Sequence, residues 1–148
     1  MRHRLIAVMI ALSGGFGAVE AQTGSSRPSA GASFAAEAVA ASLGSAAGLQ
    51  LGLSLVDRCG ELIPCELAMT GVGALAAAAL APVAALVVAR AIGDDPSGPG
   101  AAVGSIVGVV AAFAVVWAAE PGRAKAWIAF SVTHGVLTAA GARLPWKR

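Results

Sequence analysis

The sequence predicts an all-α fold: a polytopic membrane four-helix bundle with close small-residue packing, preceded by a signal peptide. Three observations lead there. Glycine recurs at every fourth position in two places, at Gly44, Gly48 and Gly52 and again at Gly100, Gly104 and Gly108. Of the 148 residues, 57% are hydrophobic and only 12% charged, about half the ~25% of an ordinary soluble domain. The apolar residues also fall into four runs of membrane-crossing length. A glycine inside a helix costs roughly 1 kcal/mol relative to alanine. In lipid the same spacing instead clears a groove along which a second backbone can approach.

The N-terminus reads first as an address. Arg2, His3 and Arg4 precede the apolar run Leu5–Leu12, Ser13-Gly14-Gly15 breaks it, and Val19-Glu20-Ala21 supplies small residues suited to cleavage. Residues 1–21 are therefore expected to be a signal peptide, since the apolar run is too short to span ~30 Å of hydrocarbon. Residues 22–33, polar and small, are expected to be a flexible tail.

The four spans follow. Residues 34–56 end at Asp57-Arg58, residues 70–92 at Gly93-Asp94-Asp95-Pro96, and residues 101–119 at Glu120-Pro121-Gly122. The last span, residues 126–142, ends at Arg143, and Pro145 closes the 34–145 domain. Each is close to the ~20 helical residues that a crossing needs, and each break carries helix-ending chemistry. Trp117 and Trp127 flank one short loop and Trp146 follows the last span, positions suited to the headgroup zone. Gly73, Ala77 and Ala81 in the second span, and Ser131, Gly135 and Ala139 in the fourth, extend the small-residue spacing. Pro82, in mid-span, predicts a kink. The alternation of a glycine-rich span with an alanine- or threonine-bearing one suggests a weak internal repeat.

Polar residues inside these runs are few. Glu37 shares the glycine face of the first span and is expected one turn from its start, within reach of headgroup water. His134 stands near the middle of the fourth span with Ser131 and Thr138 on its face, which suits a buried neutral imidazole bonded to a hydroxyl or carbonyl. Gln50 projects away from the glycine face and needs an interhelical partner if it lies in hydrocarbon. Together, Glu37, Gln50 and His134 are the residues with which a small channel or transporter would be lined.

Cys59 and Cys65 share one loop, with Gly60 and Pro64 between them, and would pair if that loop lies outside the cytosol. Two cysteines without a neighbouring histidine do not make a metal site. A cleaved signal would place that loop inside. The charge count points the other way: Arg27, Arg90, Arg143, Lys147 and Arg148 share the opposite side, against Arg58, Arg123 and Lys125.

No nucleophile–base pair, phosphate loop or metal quartet is legible, so the chain is expected to be no enzyme, with no catalytic residues and no cofactor. A net charge of +2 without a basic cluster excludes a nucleic-acid footprint. The glycine triplets in paired spans resemble those of small bacterial Ala/Gly-rich, glycine-zipper-like membrane proteins. That resemblance implies a bacterial inner-membrane location and a bilayer as partner, and transfers no catalytic residue. The expected role is non-enzymatic: packing through the glycine faces, with itself as a homo-oligomer or with another membrane protein.

Overall fold

A computed structural model describes residues 28–56, 58–59, 63–119 and 122–145. The signal peptide expected over residues 1–21, and Trp146, lie outside them. Four helices follow one another: α1 (Ala30–Val56), α2 (Ile63–Ala91), α3 (Gly98–Ala119) and α4 (Arg123–Ala142), with no strand among the described residues.

Every helix begins earlier than its apolar run, by three to seven residues, because polar residues can start a helix that apolar residues continue. The Ser29 hydroxyl accepts the Ala32 amide at 3.3 Å and so caps α1 four residues upstream of the expected start. Ala30–Ser33, expected in the polar tail, are therefore helical. Ser97 caps α3 in the same way through the Gly100 amide at 3.1 Å. Pro64 lies in the first turn of α2, where a missing amide hydrogen costs nothing, so that helix starts at Ile63 rather than at residue 70. At its other end Gly93, at φ 81°, closes α2. There the Gly93 amide donates to Arg90 O and the Asp94 amide to Ala89 O, a left-handed glycine cap. Helix α2 remains continuous through Pro82.

The bundle is up-down-up-down. Helix α1 packs on α2 and α3 on α4, forming two antiparallel hairpins; α1 also meets α4 and α2 meets α3, while α1 and α3 stand diagonally apart. Three helices are long and apolar enough to cross a membrane: Ala30–Val56, Leu67–Ala91 and Gly98–Ala119. The fourth, with Lys125 near its start and Ser131, Thr133, His134 and Thr138 along it, is less apolar than the 126–142 span was expected to be.

The radial distribution of side chains reverses that of a water-soluble bundle. Ala41, Ala77, Ala81, Ala85, Ala101, Ala112 and Ala139 are wholly buried, whereas Leu75, Val110, Ile128 and Trp117 lie on the outside. The largest fully buried side chains are all polar: His134, Glu37, Thr138, Ser45 and Ser105. No buried side-chain nitrogen or oxygen among the described residues lacks a hydrogen-bond partner. Small residues inside let backbones approach, and the large apolar ones face a medium that does not expel them.

Candidate functional site: the polar interior of the bundle

The glycines set the helix separations. A Cβ on Gly48 would strike the backbone of Ala76 and Ala77, one on Gly44 would meet Leu80 O at 2.8 Å, and one on Gly52 would strike Gly73. The first triplet is thus threaded onto the Gly73, Ala77 and Ala81 face of α2. The second lies on α4: Gly100 meets Gly141, Gly104 meets Leu137 O and Gly141, and Gly108 faces His134, whose Cδ2 would be 2.8 Å from an added Cβ. Both glycine faces are covered by the chain's own helices. The close small-residue packing expected of the bundle is thus met within each hairpin, which leaves neither triplet open to a second molecule. Gly135, on a different face of α4, abuts Ser42 of α1 and brings the hairpins together.

At mid-bundle, three polar contacts join all four helices. His134 of α4 has its Nε2 2.9 Å from Ser105 Oγ of α3 and its Nδ1 2.9 Å from Ser45 Oγ of α1. Ser105 Oγ in turn donates to Ala78 O of α2 at 2.8 Å. A serine hydroxyl has one proton. Since Ser105 commits its proton to Ala78 O, it accepts from His134, so the hydrogen sits on Nε2. Nδ1 is then an acceptor, and the Ser45 hydroxyl donates to it. The tautomer follows from the network. On α4 itself, Thr138 Oγ1 donates to His134 O at 2.8 Å. His134 is therefore a buried imidazole bonded to hydroxyls, those of Ser45 and Ser105 on other helices rather than of Ser131 and Thr138 on its own.

Pro82 explains why Ala78 O is available. In a regular helix that carbonyl accepts the amide four residues on, at position 82, and proline has none. Ser105 supplies the missing hydrogen from a neighbouring helix, the usual way in which a membrane helix tolerates an internal proline. The Pro82 break and the His134 layer are thus one construction. The sequence carried the signal, a proline four residues after an acceptor, but not the identity of the donor.

A second cluster closes the end formed by the start of α1, the α2–α3 loop and the end of α4. Arg143 binds Glu37 with two hydrogen bonds, Nη2 to Oε1 at 2.7 Å and Nε to Oε2 at 3.2 Å. It also donates to Asp94 Oδ2 at 3.2 Å and Ala30 O at 3.1 Å, and lies over the Phe34 ring at 5.6 Å. Glu37 is only 1% exposed and Arg143 31%, so the pair spans the boundary between bundle interior and open space. The hydrogen bond to the Glu37 carboxylate, together with its charge and that of Asp94, raises the Arg143 pKa above the ordinary arginine value; burial opposes the shift. The early start of α1 puts Glu37 two turns inside the helix, not one, which is why it needs this partner rather than headgroup water. An open hollow of about 730 Å³, lined by Asp94, Asp95, Ser97 and Pro145 among others, adjoins the pair.

At the opposite end, Cys59 and Cys65 form a disulfide that ties the turn after α1 to the first turn of α2. A smaller apolar hollow of about 150 Å³ lies among Leu49, Leu53, Phe113, Trp127 and Phe130. Phe130 separates it from the His134 ring, 5.9 Å away, and stacks edge-on against Phe113 at 5.0 Å. Gln50 is on the outside of α1, away from both clusters. Glu37, Gln50 and His134 therefore do not line one site: the first is paired at one end, the last is bonded at the centre, and Gln50 faces outward. No group of three metal-ligating side chains occurs among the described residues.

The geometry and the exterior define a class, a compact helix bundle with three helices long and apolar enough to cross a membrane. No protein-family model, no curated protein and no solved structure matches the chain.

Proposed function

We propose that this chain is a non-enzymatic integral membrane protein whose role is structural: a self-contained bundle that acts through its outer surface. The observation that carries this reading is the reversed distribution of side chains, with alanine, glycine and hydrogen-bonded polar groups inside and leucine, isoleucine, valine and tryptophan outside. Because the glycine faces are consumed within the molecule, any partner meets the larger apolar side chains instead. The conduit reading has less to stand on, since Gln50 lies outside the bundle and Glu37 is locked to Arg143.

The disulfide also supports an orientation. A stable bridge at Cys59–Cys65 belongs to an oxidising compartment, and the charge excess at the opposite side, with Arg90 and Arg143, belongs to the cytoplasm. We therefore place the disulfide end outside, in preference to the sidedness that a cleaved signal implies. One cell preparation tests both statements. Alkaline carbonate should leave the protein in the membrane pellet; release to the supernatant would remove the membrane reading. A membrane-impermeant maleimide should label Cys59 and Cys65 in intact cells only after reduction, and labelling only after lysis would reverse the orientation.

A further inference from the structure

Along α1 every polar side chain but one has a hydrogen-bond partner. Gln50 is exposed on the outer face of α1, two positions from the buried Gly48, and its carboxamide makes no hydrogen bond to another described residue. Its depth can be read from the network. Ser45 is level with His134 through their 2.9 Å contact, and Gln50 follows Ser45 by five residues toward the disulfide end. At 1.5 Å per residue it stands roughly 7 Å from the His134 layer, whereas Trp127, seven residues from His134, stands about 10 Å from it. Tryptophan marks the headgroup level, so Gln50 lies on the hydrocarbon side of that mark. Helical side chains lean toward the N-terminus of their helix, which here means toward the bilayer centre. The amide is thus carried away from the nearer water.

Ser54, exposed one turn further along, presents no such problem because its hydroxyl donates to Leu51 O at 2.7 Å. Gln50 cannot satisfy two donors and a carbonyl within its own helix, whose backbone groups are already bonded to one another. We propose that the outer face of α1 is where a second copy of this chain docks, with the two Gln50 carboxamides hydrogen-bonded to each other across a twofold axis. The inference rests on the membrane reading. Three features select a second copy as occupant. Copies inserted in the same direction are related by an axis along the membrane normal, so identical residues meet at identical depth. A carboxamide is its own complement, one N–H and one C=O on each side forming a reciprocal pair. Val39 and Leu43, 61% and 49% exposed, lie on the same face of α1 and supply apolar contact beside it.

The test uses the full chain in lipid vesicles at low protein density, with cysteine introduced by Leu43→Cys, two turns from Gln50 on the docking face. The control is Val107→Cys on α3, the helix diagonal to α1, at a similar depth. Oxidant should convert the Leu43→Cys protein to a covalent dimer and leave the Val107→Cys protein monomeric. Adding Gln50→Leu should lower dimer yield at limiting protein about threefold to tenfold, the scale of one or two interhelical polar contacts, and Gln50→Asn should restore part of it. Circular dichroism should be unchanged in all of these, because position 50 is exposed on the outside of the bundle. Equal cross-linking at positions 43 and 107, or a yield indifferent to Gln50→Leu, would overturn the proposal. Such a result would leave the membrane reading standing, and that reading fails separately if carbonate extracts the protein.

Discussion

Within each hairpin the helices meet along a glycine seam, to which the second hairpin adds one side-chain bond, Ser105 to His134. The two hairpins make a single such close approach, Gly135 on Ser42, and otherwise meet through side chains that carry hydrogen bonds. Glycine at positions 44, 48 and 52, and at 100, 104 and 108, leaves no Cβ there to hold α1 from α2 or α3 from α4. Between hairpins, beside the approach of Gly135 to Ser42, the hydrogen-bonded contacts are Glu37 with Arg143, Ser45 with His134, and Ser105 with Ala78. The difference reflects what each interface must specify. Helices joined by a short loop are already neighbours and need only closeness, which dispersion rewards over a large area. Two hairpins can slide and rotate against each other, and directional bonds at mid-depth and at one end fix their register.

This division is broken most severely by bulk at the hairpin seams. Gly48→Leu would drive a branched side chain into the Ala76–Ala77 backbone, and Gly104→Leu into Leu137 O and Gly141. Backbone cannot rotate away as a side chain can. The expected loss is at or above the upper end of the ~1–3 kcal/mol typical of overpacking, read as unfolding in mixed detergent titrations. Gly71→Leu is the control, because a Cβ there meets nothing within 4 Å. Equal tolerance at positions 48 and 71 would dissolve the distinction between seam and surface.

The seams were also the most legible part of the sequence. Gly44, Gly48 and Gly52 announce a close approach by spacing alone, and the apolar runs locate all four helices. What spacing cannot say is whether the approaching backbone belongs to the same chain, since a glycine groove is equally suited to either. The helix starts were missed for a different reason. Ser29, Ser97 and Pro64 are good first-turn residues, but an apolar run measures the lipid-immersed part of a helix rather than its hydrogen-bonded length. The charge pair was within reach once the topology was granted. Up-down-up-down order puts the start of the first span beside the end of the fourth, and Glu37 and Arg143 are the acid and base found there. The His134 layer was only half legible, because which hydroxyls face the imidazole depends on helix rotation.

Between hairpins, the Glu37–Arg143 pair should carry the next largest effect. Removing the guanidinium with Arg143→Ala strands a carboxylate that is 1% exposed. The cost should lie somewhat below the ~3–5 kcal/mol of breaking a fully buried pair, because the arginine side is partly open. Glu37→Gln should cost less, as a neutral amide can still accept from Arg143. The double variant Glu37→Leu, Arg143→Met should recover most of the loss. If Arg143→Ala and the double variant are equally unstable, the pair contributes packing rather than charge neutralisation, and its role in registering the hairpins fails.

The smallest effect is a coupling within the construction at mid-depth, where the order of the single variants is not what residue size would suggest. His134→Leu removes the larger group but leaves little stranded. Ser105 still donates to Ala78 O, and Ser45 can turn its hydroxyl to the carbonyl one turn back in its own helix. Ser105→Ala deletes one oxygen and strands two buried groups, the Ala78 carbonyl freed by Pro82 and the His134 Nε2 hydrogen. Each stranded group costs about 1–3 kcal/mol, so Ser105→Ala should destabilise at least as much as His134→Leu. Pro82→Ala then decides the cause. With an amide restored at position 82, Ala78 O regains its own helix partner, and Ser105→Ala should cost about 1 kcal/mol less than it does beside the proline. A double-mutant cycle in detergent unfolding measures that coupling directly, and a value indistinguishable from zero would mean that the proline and the serine were never parts of one device.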